Sequence, residues 1–383
     1  MSSERILWLC SWYPNKTGPF HGDFIQRQAR AAALYHPVHV LYIAKVTGAG
    51  FSKTTEEKKT TGNLTEHIIY NHSSSFPLLG KLFSLFRYYR LSRKYIRQYI
   101  REQGKPHIVH VQIPIKAGIL ALWVKRKYKI PFVLTEHYGI YNRVVVDPYE
   151  DRPFFFRYYT KRVIQEAKKF LPVSKQIGQT INQVVAPKAY QSIPNTVDTR
   201  SFFYEPVPDR RKFRFIHVSN MIPLKNVEGI INAVAQLWLK RQDFELEIIG
   251  PASHIVLEHA AKSGLLGKGL RFTGEVNYEE VANAMKKSHA MLLFSRTENM
   301  PCVVLESLCC GRPVIATNVG GIPEILDLSN GILINSDDEE GLGNAMQDMM
   351  NNYTNYDQPQ IAAKAASLYS YETIGRLISD AYR

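Results

Sequence analysis

Cysteine is scarce in this chain of 383 residues: the four present are Cys10, Cys302, Cys309 and Cys310, with no Cys-x2-Cys pair and no histidine at metal spacing beside them. A disulfide framework or a structural zinc site needs such spacings, so the expectation is reduced thiols in a cytoplasmic protein. Long apolar runs are missing as well. None reaches the roughly 18 to 20 residues that cross a bilayer. Ile6-Leu7-Trp8-Leu9, soon followed by Pro14, is too short for a signal peptide and predicts a first buried strand. No internal repeat or low-complexity tract is present, which argues against solenoids and disordered arrays.

Acidic residues are few in the first half only. Residues 1–189 hold 30 Lys and Arg against 11 Asp and Glu, whereas residues 190–383 hold 18 against 23, so the first half alone builds the formal charge of +14. Within it, residues 81–130 carry 13 basic residues and one acid, Glu102. Such a surplus asks for an anionic partner. Leu82, Leu85, Phe86, Tyr89, Ile96, Tyr99 and Ile100 recur at helical spacing, and Arg87, Arg90, Lys94, Arg97 and Arg101 recur at three and four on another stripe. A basic amphipathic helix suits peripheral adsorption to the anionic inner face of the cytoplasmic membrane. A core-packed helix with a solvated basic face fits the same pattern equally well. No nucleic-acid recognition motif accompanies the charge, and no nucleic-acid partner is expected.

Length and composition, 45% hydrophobic and 21% charged, predict two globular domains. Strand-like runs at Ile6–Cys10, Val38–Ile43, His107–Val111 and Phe132–Thr135 alternate with helical segments such as Gln26–Leu34. Lys53–Lys59 and Ser73–Phe76 are polar or turn-rich and predict loops. After a hinge at 195–208 a second alternation follows, with strands at Phe213–Val218, Phe244–Ile249, Leu270–Thr273 and Ala290–Phe294. Helices are predicted between them at Val227–Leu239, Ala252–Ser263 and Tyr278–Lys287. The fold class is α/β: two doubly wound, Rossmann-like domains, 1–194 and 209–365, facing each other across a cleft at the carboxyl ends of their strands. In the remaining segment, 366–383, Ile374, Leu377, Ile378 and Ala381 share one face of a last helix.

Between Ser295 and Glu306 two carboxylates, Glu298 and Glu306, stand eight positions apart around Pro301. Met291–Phe294 predicts a buried strand, and Val303, Val304, Leu305 and Leu308 have helical spacing. Proline is tolerated at the first helical position, which makes Met300 the N-cap, and methionine offers no oxygen to the first amides. The N–H groups around Cys302 and Val303, with the positive end of the helix dipole, are then available to an anion such as a diphosphate. A carboxylate beside that anion needs a neutral partner, such as sugar or ribose hydroxyls, and a nucleotide-sugar meets both demands. Taken alone, a Glu-x7-Glu pair is more often an ordinary helix with an exposed Glu at each end. Here Cys309-Cys310-Gly311-Arg312-Pro313 closes the helix before a strand at Val314–Thr317, and Gly320-Gly321 with Pro323-Glu324 predicts a glycine loop feeding a second helix.

Ser295 through Glu324, written S-x-x-E-x-x-P-x-V-x-x-E-x-x-x-x-G-x-P-V-I-A-T-x-x-G-G-x-P-E, resembles the signature of the retaining glycosyltransferases of family 4, enzymes of the two-domain GT-B fold. Ile193–Asp198, Leu246–Gly250, Arg271–Val276, Thr135-Glu136-His137 and Pro172-Val173-Ser174 look like further landmarks of that family. The resemblance implies a catalytic set of Glu298, His137 and Lys225, with Lys225 on the donor diphosphate, Glu298 near the transferred sugar and His137 by its primary hydroxyl. It implies donor contacts from Glu306 to the ribose, from the backbone of Asn299, Met300, Pro301, Cys302 and Val303 to sugar and phosphates, and from Val276 to the base. Gly22 matches a first-domain glycine beside donor phosphates or acceptor, and Asn220 stands where the family usually has an arginine. Asp23 and Glu136 are local carboxylates for general-base assistance to an acceptor hydroxyl. The last helix is expected to cross back to the first domain. No Asp-x-Asp pair precedes a strand end, so no metal and no cofactor are expected.

The expectation is a transferase moving a hexose-type sugar, with retention, from a UDP- or GDP-sugar to a hydroxyl of a glycan, lipid-linked, in cell-surface polysaccharide assembly. Two rivals stand beside it. One is a nucleotide-sugar epimerase of the same fold, disfavoured by the Glu298 to Glu306 signature. The other is a catalytically inactive nucleotide-sugar-binding or membrane-scaffold protein, for which Asn220 speaks.

Overall fold

The computed structural model of the chain describes residues 4–46, 54–72, 79–208 and 212–383; Lys53, Ser73–Phe76 and the Leu82 side chain lie outside the described residues. The chain forms two compact units, one of Met1–Tyr141, Asp147–Pro194 and Tyr371–Arg383, the other of Asn142–Val146 and Asn195–Ser370.

The first unit is built on seven strands: β1 (Ile6–Cys10), β2 (Val38–Val46), β3 (Thr55–Thr61), β4 (Leu64–His72), β5 (Ile108–Gln112), β6 (Phe132–Glu136) and β7 (Phe170–Pro172). Their order is β3-β4-β2-β1-β5-β6-β7, with every neighbouring pair parallel except β3 and β4. β1, β5, β6 and β7 are buried along their whole length, as the continuous apolar runs of a parallel sheet covered by helices require. The helices are α1 (Asp23–Ala33), α2 (Leu79–Gln103), α3 (Ile119–Tyr128), α4 (Phe154–Glu166) and α5 (Lys175–Val184).

One prediction for this unit is corrected. Thr55–Thr61 is a strand, not part of a loop, and it pairs antiparallel with β4 through a turn at Gly62, whose φ is 55°. Its sequence lacks an apolar face because every residue is exposed, and its Glu and Lys side chains suit a sheet edge that must not pair further.

A further helix, α12 (Tyr371–Tyr382), completes the first unit from the far end of the chain. Ile374, Ile378, Ala381 and Tyr382 are buried, and each isoleucine contributes about 1.5 to 3 kcal/mol through burial. Trp8 Nε1 donates to the Tyr382 hydroxyl at 3.0 Å, and His110 Nδ1 lies 2.9 Å from the same oxygen. α12 approaches α1 so closely that a Cβ on Gly375 would lie 2.2 Å from the Ala31 carbonyl.

The second unit carries an all-parallel six-stranded sheet of order β10-β9-β8-β11-β12-β13. Its strands are β8 (Phe213–Val218), β9 (Phe244–Ile249), β10 (Leu270–Gly274), β11 (Ala290–Leu293), β12 (Val314–Thr317) and β13 (Gly331–Ile334). Its helices are α6 (Val227–Trp238), α7 (His254–Lys262), α8 (Tyr278–Lys286), α9 (Cys302–Cys309), α10 (Glu339–Asn352) and α11 (Gln358–Tyr369). Phe215, Leu246, Leu292 and Ile315 meet Ile230, Val234 and Met346 in its core.

Two terminus predictions shift. Pro301, with φ −70° and ψ 114°, is the N-cap of α9 rather than its first residue, and Met300 precedes the cap. Pro323 lies in a single 3-10 turn, Ile322–Glu324, and not at the start of an α-helix.

Candidate functional site

In an open parallel sheet, ligands bind at the carboxyl ends of the strands where the direction of connection reverses. In the second unit that point lies between β8 and β11, since the chain runs outward from β8 to β9 and β10 and returns to β11 on the other side. The loop after β8 carries Asn220 and Lys225, and the loop after β11 carries Glu298.

Both loops are held by close approaches that only glycine permits. A Cβ on Gly250 would lie 1.9 Å from the Ser219 carbonyl, and Gly250 N donates to Gly274 O at 2.9 Å. A Cβ on Gly320, whose φ is 55°, would lie 1.6 Å from the Glu298 carbonyl. The Gly320-Gly321 loop is thereby the floor on which the Glu298 backbone rests.

Glu298 and Lys225 meet there. Lys225 Nζ donates to Glu298 Oε1 at 2.5 Å, and Ser295 Oγ donates to the same oxygen at 2.7 Å. Arg296 clamps the Lys225 loop from the other side, with Nη1 donating to the Pro223 carbonyl at 2.7 Å and Nε to Asp337 Oδ1 at 2.8 Å. The cation and the carboxylate therefore neutralise each other in a mostly buried pair. Arg296 was not singled out from sequence, although it lies two residues before Glu298, and Ser295 entered only as the first letter of the motif.

Asn195 Nδ2 donates to the Met300 carbonyl at 2.8 Å and fixes the approach to α9. Pro301, the N-cap, supplies no side-chain hydrogen bond to that helix. Asn299, Cys302 and Val303 are half-buried around its start, whereas Met300 and Pro301 are buried. One and a half turns on, Glu306 is 3% exposed and accepts from the Tyr278 hydroxyl at 3.1 Å. Tyr278 opens α8 just after Val276, and its ring packs on Phe202 at 4.8 Å. The predicted base-binding loop and the predicted ribose carboxylate are thus joined through one phenol. Sequence reasoning missed Tyr278; its place two residues after Val276 was the available signal. Asn220 is exposed on its loop.

His137 belongs to the first unit, at the carboxyl end of β6. Its amide and that of Tyr138 donate to Glu136 Oε1 at 2.8 Å each, and the Tyr141 hydroxyl donates to Oε2 at 2.6 Å. Glu136 has no exposed surface, and desolvation pushes its carboxyl up to about 7, against the downward pull of those three donors. This corrects Glu136 as a candidate base: it positions the His137 backbone and reaches no acceptor. His137 Nε2 lies 2.9 Å from Gln112 Oε1, and its ring lies 4.7 Å from Phe24. Asp23 is paired with Arg27 at 2.9 Å. Gly22 sits at φ 77° with Trp12 and Tyr13 backbone atoms 3.0 Å from where a Cβ would be, so the turn into α1 requires glycine.

The basic stripe of α2 divides. Arg90, Lys94, Arg97 and Arg101 are exposed, while Arg87 is half-buried and donates to Thr54 Oγ1 at 2.9 Å. Ile96 and Tyr99, assigned by pattern to the same apolar stripe as Phe86, are buried in the unit and unavailable to a membrane. Only the amino-terminal part keeps exposed apolar groups, with Phe83 at 60% and Phe86 at 64%. Among the described residues no helix is long and apolar enough to cross a membrane, and no three of His, Cys, Asp and Glu gather into a metal-holding group.

Two family models match the chain. The one described as Glycosyltransferase Family 4 covers residues 26–201, and the one described as Glycosyl transferases group 1 covers residues 198–366. An uncharacterized glycosyltransferase of Methanocaldococcus jannaschii is 27% identical over 64% of this chain and 66% of its own length. The N-acetyl-alpha-D-glucosaminyl L-malate synthase of Bacillus anthracis is 26% identical over 64% of this chain and 65% of its own length. The chain thus matches just under two thirds of the length of these two relatives. A Bacillus subtilis glycosyltransferase with a name from teichuronic acid biosynthesis is 24% identical over 97% of this chain and 93% of its own length. Among solved structures, sucrose-phosphate synthase of Thermosynechococcus elongatus has a TM-score of 0.79 at 17% identity, covering 99% of this chain and 98% of that one. An Anabaena protein in complex with UDP and glucose has a TM-score of 0.72 at 16% identity, covering 99% of each. The shared fold is GT-B.

Proposed function

Since the chain belongs to the family 4 glycosyltransferases of the glycosyl transferases group 1 kind, we propose that it moves a hexose-type sugar, with retention, from a UDP- or GDP-sugar to a hydroxyl of a glycan in polysaccharide or glycolipid assembly. The observation that carries this reading is the convergence of Lys225, Glu298 and the start of α9 at the switch point of the second sheet. A diphosphate on the α9 amides draws Lys225 from Glu298, and the released carboxylate accepts hydroxyls of the sugar. Glu306, kept in place by Tyr278, takes the ribose hydroxyls, and the loop at Val276 takes the base edge. Lys225 then offsets the charge that develops on the leaving diphosphate, and no metal ion is required for that step.

His137 acts on the sugar's primary hydroxyl, and the acceptor hydroxyl attacks from the face the diphosphate leaves. A lipid-linked acceptor and a peripheral place on an anionic membrane surface belong to the same proposal, supported by the exposed basic residues of α2 and the aromatic groups at its start.

Steady-state kinetics with UDP- and GDP-sugars test it. Glu306→Gln keeps the acceptor for Tyr278 but removes the charge, and should weaken donor binding about tenfold. Glu298→Gln keeps the bonds from Lys225 and Ser295, and should lower kcat by a larger factor than it changes donor affinity. Wild-type activity in both variants would remove the pair from the mechanism. Donor binding without any turnover in the wild type would favour the inactive-binder alternative.

A further inference from the structure

The first unit holds a cavity of about 430 Å³ that the donor reading leaves unused. It opens at the carboxyl ends of β1, β2 and β4 and at the loop after β5, and the switch point of that sheet lies between β1 and β5. Lys45 at the end of β2, Lys116 in the loop after β5, and His21 bring three basic groups to its wall. Among the described residues no Asp or Glu lines it.

Three observations show that this wall suits an anion. The basic groups sense one another: burial first, then Lys45, holds Lys116 below the usual lysine range, and burial first, then Lys116, lowers His21. Like charges gathered without a counter-ion repel, and an anion between them reverses the sign of the interaction. Second, the loop that carries Lys116 is strained. Ile113 and Lys116 have φ of 73° and 67°, conformations that cost side-chain-bearing residues of order 1 to 3 kcal/mol each. The strain is held by Ser11 Oγ, which donates to the Ile115 carbonyl at 2.5 Å, and it leaves the Lys116 ammonium 6.0 Å from the Tyr88 ring on the cavity wall. Third, Asn71 also lines the cavity and is 2% exposed, and its Oδ1 has no hydrogen-bond partner among the described residues. A buried amide oxygen left unmatched costs about 1 to 3 kcal/mol, which a ligand hydroxyl donating to it would recover.

We propose that this cavity is the acceptor's anion subsite, in which Lys45, Lys116 and His21 hold the phosphate or diphosphate of a phosphorylated saccharide while Asn71 accepts from one of its hydroxyls. The inference rests on the transferase reading, and gives its acceptor a chemical class. Leu85 on the same wall, with exposed Phe86 one residue on, offers apolar surface next to the anion site.

Calorimetric titration of the full chain tests it, with the donor site first saturated by whichever of UDP and GDP stabilises the protein. The probes are inorganic pyrophosphate, farnesyl diphosphate and farnesol. Both diphosphates should bind one to one and farnesol at least tenfold more weakly, and Lys45→Met and Lys116→Met should each weaken the diphosphates about tenfold with nucleotide binding and melting temperature unchanged. Farnesyl diphosphate binding more than tenfold tighter than pyrophosphate identifies a lipid-linked source; equal binding identifies a soluble phosphate; both keep the subsite. Farnesol binding as well as farnesyl diphosphate, diphosphate binding unmoved by either lysine variant, or no diphosphate binding at all would overturn it. Absence of nucleotide binding would instead defeat the transferase reading, and the same titration without nucleotide would still judge the anion site.

Discussion

At the scale of single residues, the site is governed by who holds which carboxylate. Glu298 is held by Lys225 and Ser295, Glu306 by Tyr278, and Glu136 by two amides and Tyr141. The first two face a loop cluster at strand ends, whereas Glu136 is sealed. The folded Glu136 carboxyl, raised from 4.5 to about 7, binds its proton more tightly than the unfolded one. Its contribution to stability is full below the unfolded value and is lost as pH rises through the folded one. Urea unfolding of the wild type should therefore show stability falling between about pH 4.5 and pH 7 relative to Glu136→Gln, and parallel profiles for the two proteins would refute the assignment.

Sequence could name Glu298 and Glu306 because the motif fixes their spacing, and Lys225 because its place on the loop after β8 matches the family's. It could not show that two of them are paired, since 73 positions separate Lys225 from Glu298. Tyr278 and Arg296 were missed for a related reason: a single aromatic at a helix start or a single arginine on a polar loop has no periodicity to mark its role.

At the scale of elements, glycines decide the geometry. Gly320→Ala would drive a methyl group into the Glu298 carbonyl, so the loop must move. The expected outcome is a loss of about 1 to 3 kcal/mol in denaturant unfolding together with weaker donor binding. Gly375→Ala meets the Ala31 carbonyl instead, and should cost a similar amount while leaving the donor affinity of the folded protein unchanged. Donor affinity falling equally in both would contradict the separation of roles.

The parallel strands β1, β2, β5, β6 and β8 to β12 were legible because continuous apolar runs bounded by turn residues have few other readings, whereas β4, β7 and β13 were not predicted. β3 was not, since an edge strand exposed on both faces has the composition of a loop. α2 misled in another way. Its helical spacing was correct, but hydrophobic periodicity cannot say whether an apolar face meets a core or a lipid. Ile96 and Tyr99 met the core, and Phe83 and Phe86 did not.

At the scale of the whole molecule, the basic surplus sits in residues 1–189 and the donor motif in residues 190–383. The two halves should therefore answer to different partners and different salt conditions. Flotation with vesicles containing phosphatidylglycerol should recover the wild type at low salt and lose it as ionic strength rises past about 0.15 M, where the Debye length is about 8 Å. Replacing Phe83 and Phe86 by serine together with Arg90, Lys94 and Arg97 by glutamine should abolish flotation but spare nucleotide binding. Unchanged flotation in that variant would refute the membrane face.

The central claim is that the β8 and β11 loops with the start of α9 form a nucleotide-sugar donor site. Thermal and denaturant unfolding with UDP, GDP and their sugars measures it directly. One of the nucleotides, at about 100 times its Kd, should add roughly 2.7 kcal/mol to the wild type. The gain should shrink by about 1.4 kcal/mol for each tenfold loss of affinity in Lys225→Met and Glu306→Gln. Full stabilisation of both variants, or none of the wild type by any of these ligands, would contradict the account.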